Sequence, residues 1–267
     1  MNDNYVNLLQ LLKGYETVAV AFSGGVDSTF LLKAAHEALG ENVLAVTAAI
    51  EAVPAEELRA AQAFCAALGV RQILVSPDVM HDRCFTENPP DRCYHCKKMI
   101  FEAIRQAALE NGAAVVAEGS NLDDERDYRP GLRAITELGV VSPLRDAGMT
   151  KDMIRACSRR LGLETWDKPS CACLASRFAY GERITEEKLK QVEIAEELLL
   201  AAGFRQLRVR LHGDLARIEL PPAELGKLLP LRESISREFR NLGFRYVTLD
   251  LEGYRTGSMN EVLVDGN

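Results

Sequence analysis

Apolar residues along the chain alternate between two rhythms, one of period two or continuous and one close to 3.6. Thr17–Phe22 is a nearly unbroken apolar run between Glu16 and Ser23, the pattern of a strand buried on both faces. After a glycine pair, Val26–Leu39 places Phe30, Leu31, Ala34, Ala35 and Ala38 on one helical face, with Gly40 suited to a C-cap. The same alternation predicts strands at Val43–Ala48, Arg71–Ser76 and Ala114–Glu118 and helices at Ala55–Leu68 and Cys96–Asn111. A short helix over Asn7–Lys13 precedes them, and a last short strand is expected near Gly139–Leu144. Thr150 then caps a helix running to Arg160. Strand, glycine turn and helix in repetition imply an α/β fold with a doubly wound parallel sheet.

The rhythm stops at Trp166. A non-periodic stretch runs to Tyr180-Gly181, and beyond it the pattern predicts a smaller α+β unit. Its elements are a helix at Glu186–Ala202, strands at Gln206–Leu211 and Ala216–Leu220, a helix at Leu231–Leu242 and a strand at Tyr246–Leu251. The expected organisation is therefore a first domain over 1–165, a linker over 166–184 and a smaller domain over 185–267.

Composition narrows the classes. Of 267 residues, 47% are hydrophobic and 27% charged, which suits a globular chain with an ample core. No apolar run approaches the roughly 20 residues of a bilayer span, and no basic segment leads into an apolar one at the N-terminus, so the cytoplasm is the expected location. The net charge of −7 weakens a nucleic-acid reading, because phosphate neutralisation calls for a basic footprint. Seven cysteines, an odd number, argue for reduced thiols over a disulfide framework.

Three constellations carry candidate chemistry. The first, Ser23-Gly24-Gly25-Val26-Asp27-Ser28, lies between a buried strand and a helix, where backbone N–H groups, two hydroxyls and a helix N-terminus converge as they do at phosphate sites. It lacks the lysine of G-x-x-x-x-G-K-[ST] and the spacing of G-x-G-x-x-G, and the plain alternative is an ordinary turn with two glycines. Asp27 suits either a loop-shaping hydrogen bond or a Mg2+ contact. Ser120 and Asn121, in a segment that also holds Asp123 and Asp124, follow a buried strand, and Arg145 follows the next. Residues past strand C-termini line the ligand crevice of such sheets. The aspartates could equally be solvated loop charges.

The second constellation is the cysteines. Cys93 and Cys96 have the spacing of a half metal site. Cys171 and Cys173 lie in the linker ahead of Arg177, whose charge would favour a thiolate. Together these pairs could hold zinc or an iron–sulfur cluster, or one thiol could act alone. Cys65 and Cys157 fall inside apolar helical patterns and read as core, Cys84 reads as structural, and His36, His81 and His95 as surface or packing. In the third, Arg208, Arg210 and His212 share one face of an alternating strand, where two arginines can grip a phosphomonoester or simply form a solvated edge. Glu219 could pair with one of them or help hold a cation.

The loop hexapeptide resembles the PP-motif of the PP-loop ATP pyrophosphatases. Ala172-Cys173-Leu174-Ala175-Ser176-Arg177, the block from Arg208 to Glu219, and Gly253-Tyr254-Arg255-Thr256-Gly257-Ser258-Met259-Asn260-Glu261 together resemble the LarE family within it, nearly end to end. The resemblance implies ATP with Mg2+, cleavage between the α- and β-phosphates, adenylation of a carboxylate of pyridinium-3,5-biscarboxylic acid mononucleotide, and sulfur transfer to give a thiocarboxylate. It implies that Arg208 and Arg210 hold the mononucleotide phosphate, and that the chain forms a homo-oligomer through its smaller domain. In members with a single cysteine the residue at position 173 surrenders its sulfur and becomes dehydroalanine. Others hold a four-iron four-sulfur cluster on three cysteines, and the extra thiols here favour that version, with three of Cys93, Cys96, Cys171 and Cys173 as ligands. Competing readings are a tRNA-thiolating enzyme, an amide-forming ligase and a non-catalytic nucleotide sensor with structural zinc.

Overall fold

A computed structural model describes residues 3–126, 130–169, 172–255 and 257–260. The chain forms two compact units, Met1–Val79 with Cys93–Cys171, and Met80–Arg92 with Ala172–Asn267. The first opens with α1 (Asp3–Lys13), which buries Tyr5, Leu8 and Leu12 at helical spacing. Then β1 (Val18–Ala21), α2 (Val26–Leu39), β2 (Val43–Ala48), α3 (Ala55–Leu68) and β3 (Arg71–Val75) alternate as the apolar pattern predicts. Gly40 caps α2 at φ 58°, a conformation that costs glycine little. The segment Met80–Arg92, with the single turn α4 (Arg83–Thr86), packs with the second unit, a departure that nothing in its pattern signals. The chain returns through α5 (Arg92–Glu110), β4 (Val115–Ala117), α6 (Pro130–Glu137), α7 (Pro143–Asp146) and α8 (Lys151–Arg160).

The four strands pair in parallel in the order β3-β2-β1-β4. One face of the sheet, through Val18, Val20 and Ala45, packs on Phe30, Leu31, Cys65 and Ile154. The other, through Ala19, Leu44 and Val46, packs on Phe101, Ile104 and Ile135. Fully burying each such side chain contributes about 1.5–3 kcal/mol, which is why strands covered on both faces read as unbroken apolar runs. The strand expected near Gly139–Leu144 is reduced to one bridge, Val141 beside Ala117, because Pro143 starts α7 at once. Strand order reverses direction between β1 and β4, so the turns leaving these two neighbours flank the point where ligands enter such sheets.

In the second unit, α9 (Glu186–Ala201) is capped by Thr185, whose hydroxyl accepts from the Lys188 N–H. The strands β5 (Arg208–His212) and β6 (Leu215–Glu219) form an antiparallel hairpin that turns at Gly213, with φ 59°. After α10 (Leu225–Leu228) and α11 (Arg232–Asn241), β7 (Tyr246–Leu249) joins β6 in parallel, giving a three-stranded α+β unit. Leu189, Val192, Leu199, Val209, Leu211 and Phe239 are buried within it.

Candidate active site

In the first unit the loop Ser23–Ser28 connects β1 to α2. Gly24 adopts φ 71°, and a Cβ there would approach Ala61 Cβ to 3.3 Å, so only glycine fits without displacement. The Ser28 hydroxyl ties the loop together, 3.1 Å from Ser23 Oγ and donating to the Gly25 carbonyl at 3.3 Å. Gly25, at the N-cap of α2, offers no side-chain acceptor to the first N–H groups of the helix. These donors are left for an anion. Beside the loop, Gly119 comes so close that a Cβ would lie 3.1 Å from the Ser28 nitrogen.

The turn after β4 is held by a buried carboxylate. Glu118 accepts from the Ser120 N–H and hydroxyl at 3.0 and 2.8 Å and from the Ser142 hydroxyl at 2.5 Å. Asn121 donates its N–H to Asp124, and Asp123 accepts the Lys151 N–H at 2.8 Å. The aspartates are thus loop-building groups, with Asp124 buried. Lys151 places its ammonium 2.6 Å from Asp27 Oδ2, while Asp27 Oδ1 is buried without a hydrogen-bond partner. Burial pushes the Asp27 carboxyl above its usual value, Lys151 draws it back, and Asp124 adds to the rise. An orphan carboxylate oxygen at an anion-binding loop fits a divalent cation that would accompany a phosphate ligand. Lys151 opens the helix that Thr150 caps, and its pairing with Asp27 across 124 residues has no local signal in the sequence. Arg145 stands on α7, 3.6 Å from Asp146.

In the second unit Cys173 is exposed, at the head of a single turn over Leu174–Arg177. Three buried guanidiniums hold this turn by its carbonyls. Arg177 donates to Ala172 at 2.7 Å and to Cys173 at 3.2 Å, Arg92 to Ala175 at 2.9 Å, and Arg210 to Ser176 at 3.0 Å. Arg92 also bonds Asn88, which sits at φ 55° and donates to the Ala179 carbonyl. Arg177 meets Glu196 in a two-pronged pair at 2.9 and 2.8 Å, one nitrogen to each carboxylate oxygen, whereas Arg210 brings Nε and Nη2 to the single Glu219 Oε2 at 3.0 and 2.9 Å.

These contacts change several expectations. The positive charge that Arg177 would lend a thiolate is balanced by Glu196, and the arginine acts as a positioning residue for the cysteine turn. Arg210 is 5% exposed with its fork on Glu219, so that position of the strand is no solvated edge, and its donors face the protein. Glu219 is fully buried and also receives Arg217 at 3.0 Å and the Ser258 hydroxyl at 3.1 Å, which makes it a counter-ion and leaves no vacant oxygen for a cation. Arg208 stacks over Tyr254, 5.4 Å from the ring centroid, and donates to the Leu207 carbonyl. Cys93 and Cys96 fall within the first five residues of α5, which starts four residues earlier than the pattern suggests, with Cys93 exposed and Cys96 buried. Cys171 lies outside the described residues. Cys65 is core and Cys157 packs against it, as expected, whereas Cys84 is exposed. Among the described residues, no three His, Cys, Asp or Glu side chains converge as a metal site. Arg92, Asn88 and Glu196 escaped sequence reading because their partners lie on other elements.

Known proteins resemble this chain in sequence. A family model described as queuosine biosynthesis protein QueC matches residues 17–109, from the strand before the loop into α5. The uncharacterized protein slr1717 of Synechocystis is 45% identical over 260 residues, 96% of this chain and 97% of that one. Pyridinium-3,5-bisthiocarboxylic acid mononucleotide synthase of Lactiplantibacillus plantarum is 43% identical over 257 residues, 96% of this chain and 93% of the synthase. The chain belongs to the LarE family of PP-loop enzymes. MJ0830 of Methanocaldococcus jannaschii is 36% identical over 170 residues, 64% of this chain and 66% of its own. The QueC match ends before the cysteine turn, whereas the alignments with slr1717 and with the synthase cover nearly the whole chain, both units included. Among the described residues no helix is long and apolar enough to cross a membrane.

Proposed function

We propose that this chain is an ATP-dependent sulfur transferase that converts the carboxylates of pyridinium-3,5-biscarboxylic acid mononucleotide to thiocarboxylates. The observation that carries this reading is the 43% identity, along nearly the whole of both chains, to a synthase named for the bisthiocarboxylic product. The geometry supports it with two complementary parts: a loop of open N–H donors at the switch point of a parallel sheet, and an exposed thiol on a turn held by three arginines. In the first step a substrate carboxylate oxygen attacks the α-phosphorus of ATP, the bond to the β-phosphate bridge breaks, and pyrophosphate leaves. N–H donors of the loop stabilise the charge that develops on it. Asp27, with its unpartnered oxygen, is the residue that would hold Mg2+, which neutralises charge on the phosphates. In the second step sulfur attacks the activated acyl carbon and AMP departs.

For the sulfur itself, the proposal is that three of Cys93, Cys96, Cys171 and Cys173 hold a four-iron four-sulfur cluster. When bound, such a cluster supplies sulfide. What supports it is that Cys93 and Cys96 stand three positions apart in one helical turn, a spacing that brings side chains to one face, and that Cys93 and Cys173 are both exposed. The alternative is that Cys173 forms a thioester with the acyl group. Loss of its Cα proton and cleavage of its Cβ–S bond then release the thiocarboxylate and leave dehydroalanine. Iron and acid-labile sulfide per chain, measured on protein purified without oxygen and on Cys173→Ala, separate the two. A stoichiometric cluster diminished in the variant supports the first. Iron absent from both, with one sulfur lost per chain after turnover, establishes the second.

A further inference from the structure

The loop that opens α2 brings N–H donors and hydroxyls to a phosphate chain but no lysine of its own. Around it, Lys151 is already paired with Asp27. At another residue of the hexapeptide, the Lys168 ammonium donates to the Gly24 carbonyl at 3.2 Å and to Glu57 Oε2 at 2.6 Å. Gly24 is the loop residue at positive φ, so this ammonium sits against the loop itself. Two of its three hydrogens are used, and its side chain is 24% exposed. Its backbone is anchored independently, because Arg155 donates to the carbonyls of Trp166 at 2.7 Å and of Lys168 at 3.0 Å. A fixed root with a long stem lets the head group turn without moving the chain. The two ion pairs at the loop, Asp27 with Lys151 and Glu57 with Lys168, cancel in formal charge. These two pairs together offer a triphosphate no net charge, and of the two ammoniums Lys168 is the one bonded to the loop backbone itself, with a hydrogen to spare.

We propose that Lys168 is a phosphate-binding residue of this loop, its third hydrogen directed to the β- or γ-phosphate of ATP and then to departing pyrophosphate, with Glu57 and the Gly24 carbonyl holding the ammonium in place. It stands in for the lysine that the loop lacks. The inference rests on the reading of the loop as an ATP site and is tested by binding, separately from turnover. Affinities of ATP with Mg2+ and of AMP are measured by calorimetry for the full chain, for Lys168→Met, for Lys168→Arg and for Glu57→Gln.

Expected is an ATP affinity about tenfold weaker in Lys168→Met with AMP unchanged, the loss of one charge-assisted bond. Lys168→Arg should recover most of it. In Glu57→Gln, which removes a negative charge beside the phosphates, ATP should bind as tightly as in the native chain or more so. Equal weakening of ATP and AMP in Lys168→Met would assign Lys168 to loop structure alone, and unchanged ATP binding would remove it from the site. Failure of the native chain to bind ATP at all would instead overturn the reading of the loop.

Discussion

At the nucleotide loop the donors are open, whereas at the cysteine turn they are closed. The N-terminus of α2 presents N–H groups that no capping side chain satisfies, and Asp27 keeps a buried oxygen without a partner. Around Cys173 the reverse holds: Arg177 and Arg210 are matched to buried glutamates, and their remaining reach goes to backbone carbonyls of the turn and to the Ser176 and Ser258 hydroxyls. The contrast follows from what each region must do. A loop that takes up a polyanion has to keep hydrogen-bonding capacity in reserve, and its groups carry the cost of being unsatisfied until the ligand comes. A thiol that must meet one carbon needs a rigid seat, and buried ion pairs with good geometry supply direction more than stability.

The largest effect is expected where a closed pair is broken. Arg177→Met should leave Glu196 buried and unpaired and free the Ala172 and Cys173 carbonyls, costing ~3–5 kcal/mol in denaturant unfolding. Adding Glu196→Leu to that variant should restore much of the stability and none of the sulfur transfer. If Arg177→Met unfolds like the native chain, the arginine-held seat is not what fixes the turn. The next effect lies at the open loop. Gly24→Ala must adopt φ 71° with a side chain, a strain of about 1–2 kcal/mol, and should weaken ATP binding while leaving the cysteine turn's thiol reactivity unchanged.

A smaller effect, with a sign that tests the idea of reserve, concerns Asp27. Its carboxyl is raised in the fold, so the folded chain keeps this proton to higher pH than the unfolded chain. The associated stability is present below 3.8 and is lost as pH rises through the folded value. Asp27→Asn should therefore be more stable than the native chain at neutral pH, the gap closing toward pH 3.8, with Mg-dependent nucleotide binding lost. His212 should give the smallest and opposite trend. Burial and then Arg217 lower its imidazole, so its contribution is present above 6.5 and is lost as pH falls through the folded value. In His212→Gln that part of the pH slope of unfolding should vanish.

How much of this was legible in the sequence follows the range of the forces involved. Helices Val26–Leu39 and Ala55–Leu68 and strand Val43–Ala48 appear with the bounds their patterns predict, because burial periodicity is a local signal. α6 was not foreseen, and the strand near Gly139–Leu144 gave way to a proline-started turn. The strict alternation of Arg208–His212 suggested a face open to solvent. It could not reveal that Ser176 and Ser258, far along the chain, cover Arg210. The pairing of an arginine of this strand was one of two readings of Glu219, the other being a cation contact, and packing decided between them. The Arg92 contact with Ala175 spans 83 residues and that of Lys168 with Glu57 spans 111, distances over which neither periodicity nor motif spacing speaks.

The most direct test of sulfur transfer on an adenylated carboxylate is mass analysis of the pyridinium mononucleotide after incubation with the purified chain, ATP and Mg2+, with pyrophosphate followed in the same reaction. Expected is pyrophosphate release that depends on the mononucleotide, and a product in which sulfur has replaced a carboxylate oxygen, abolished in Cys173→Ala. Sulfur incorporation undiminished in Cys173→Ala, or pyrophosphate release with no sulfur in the product, would contradict it.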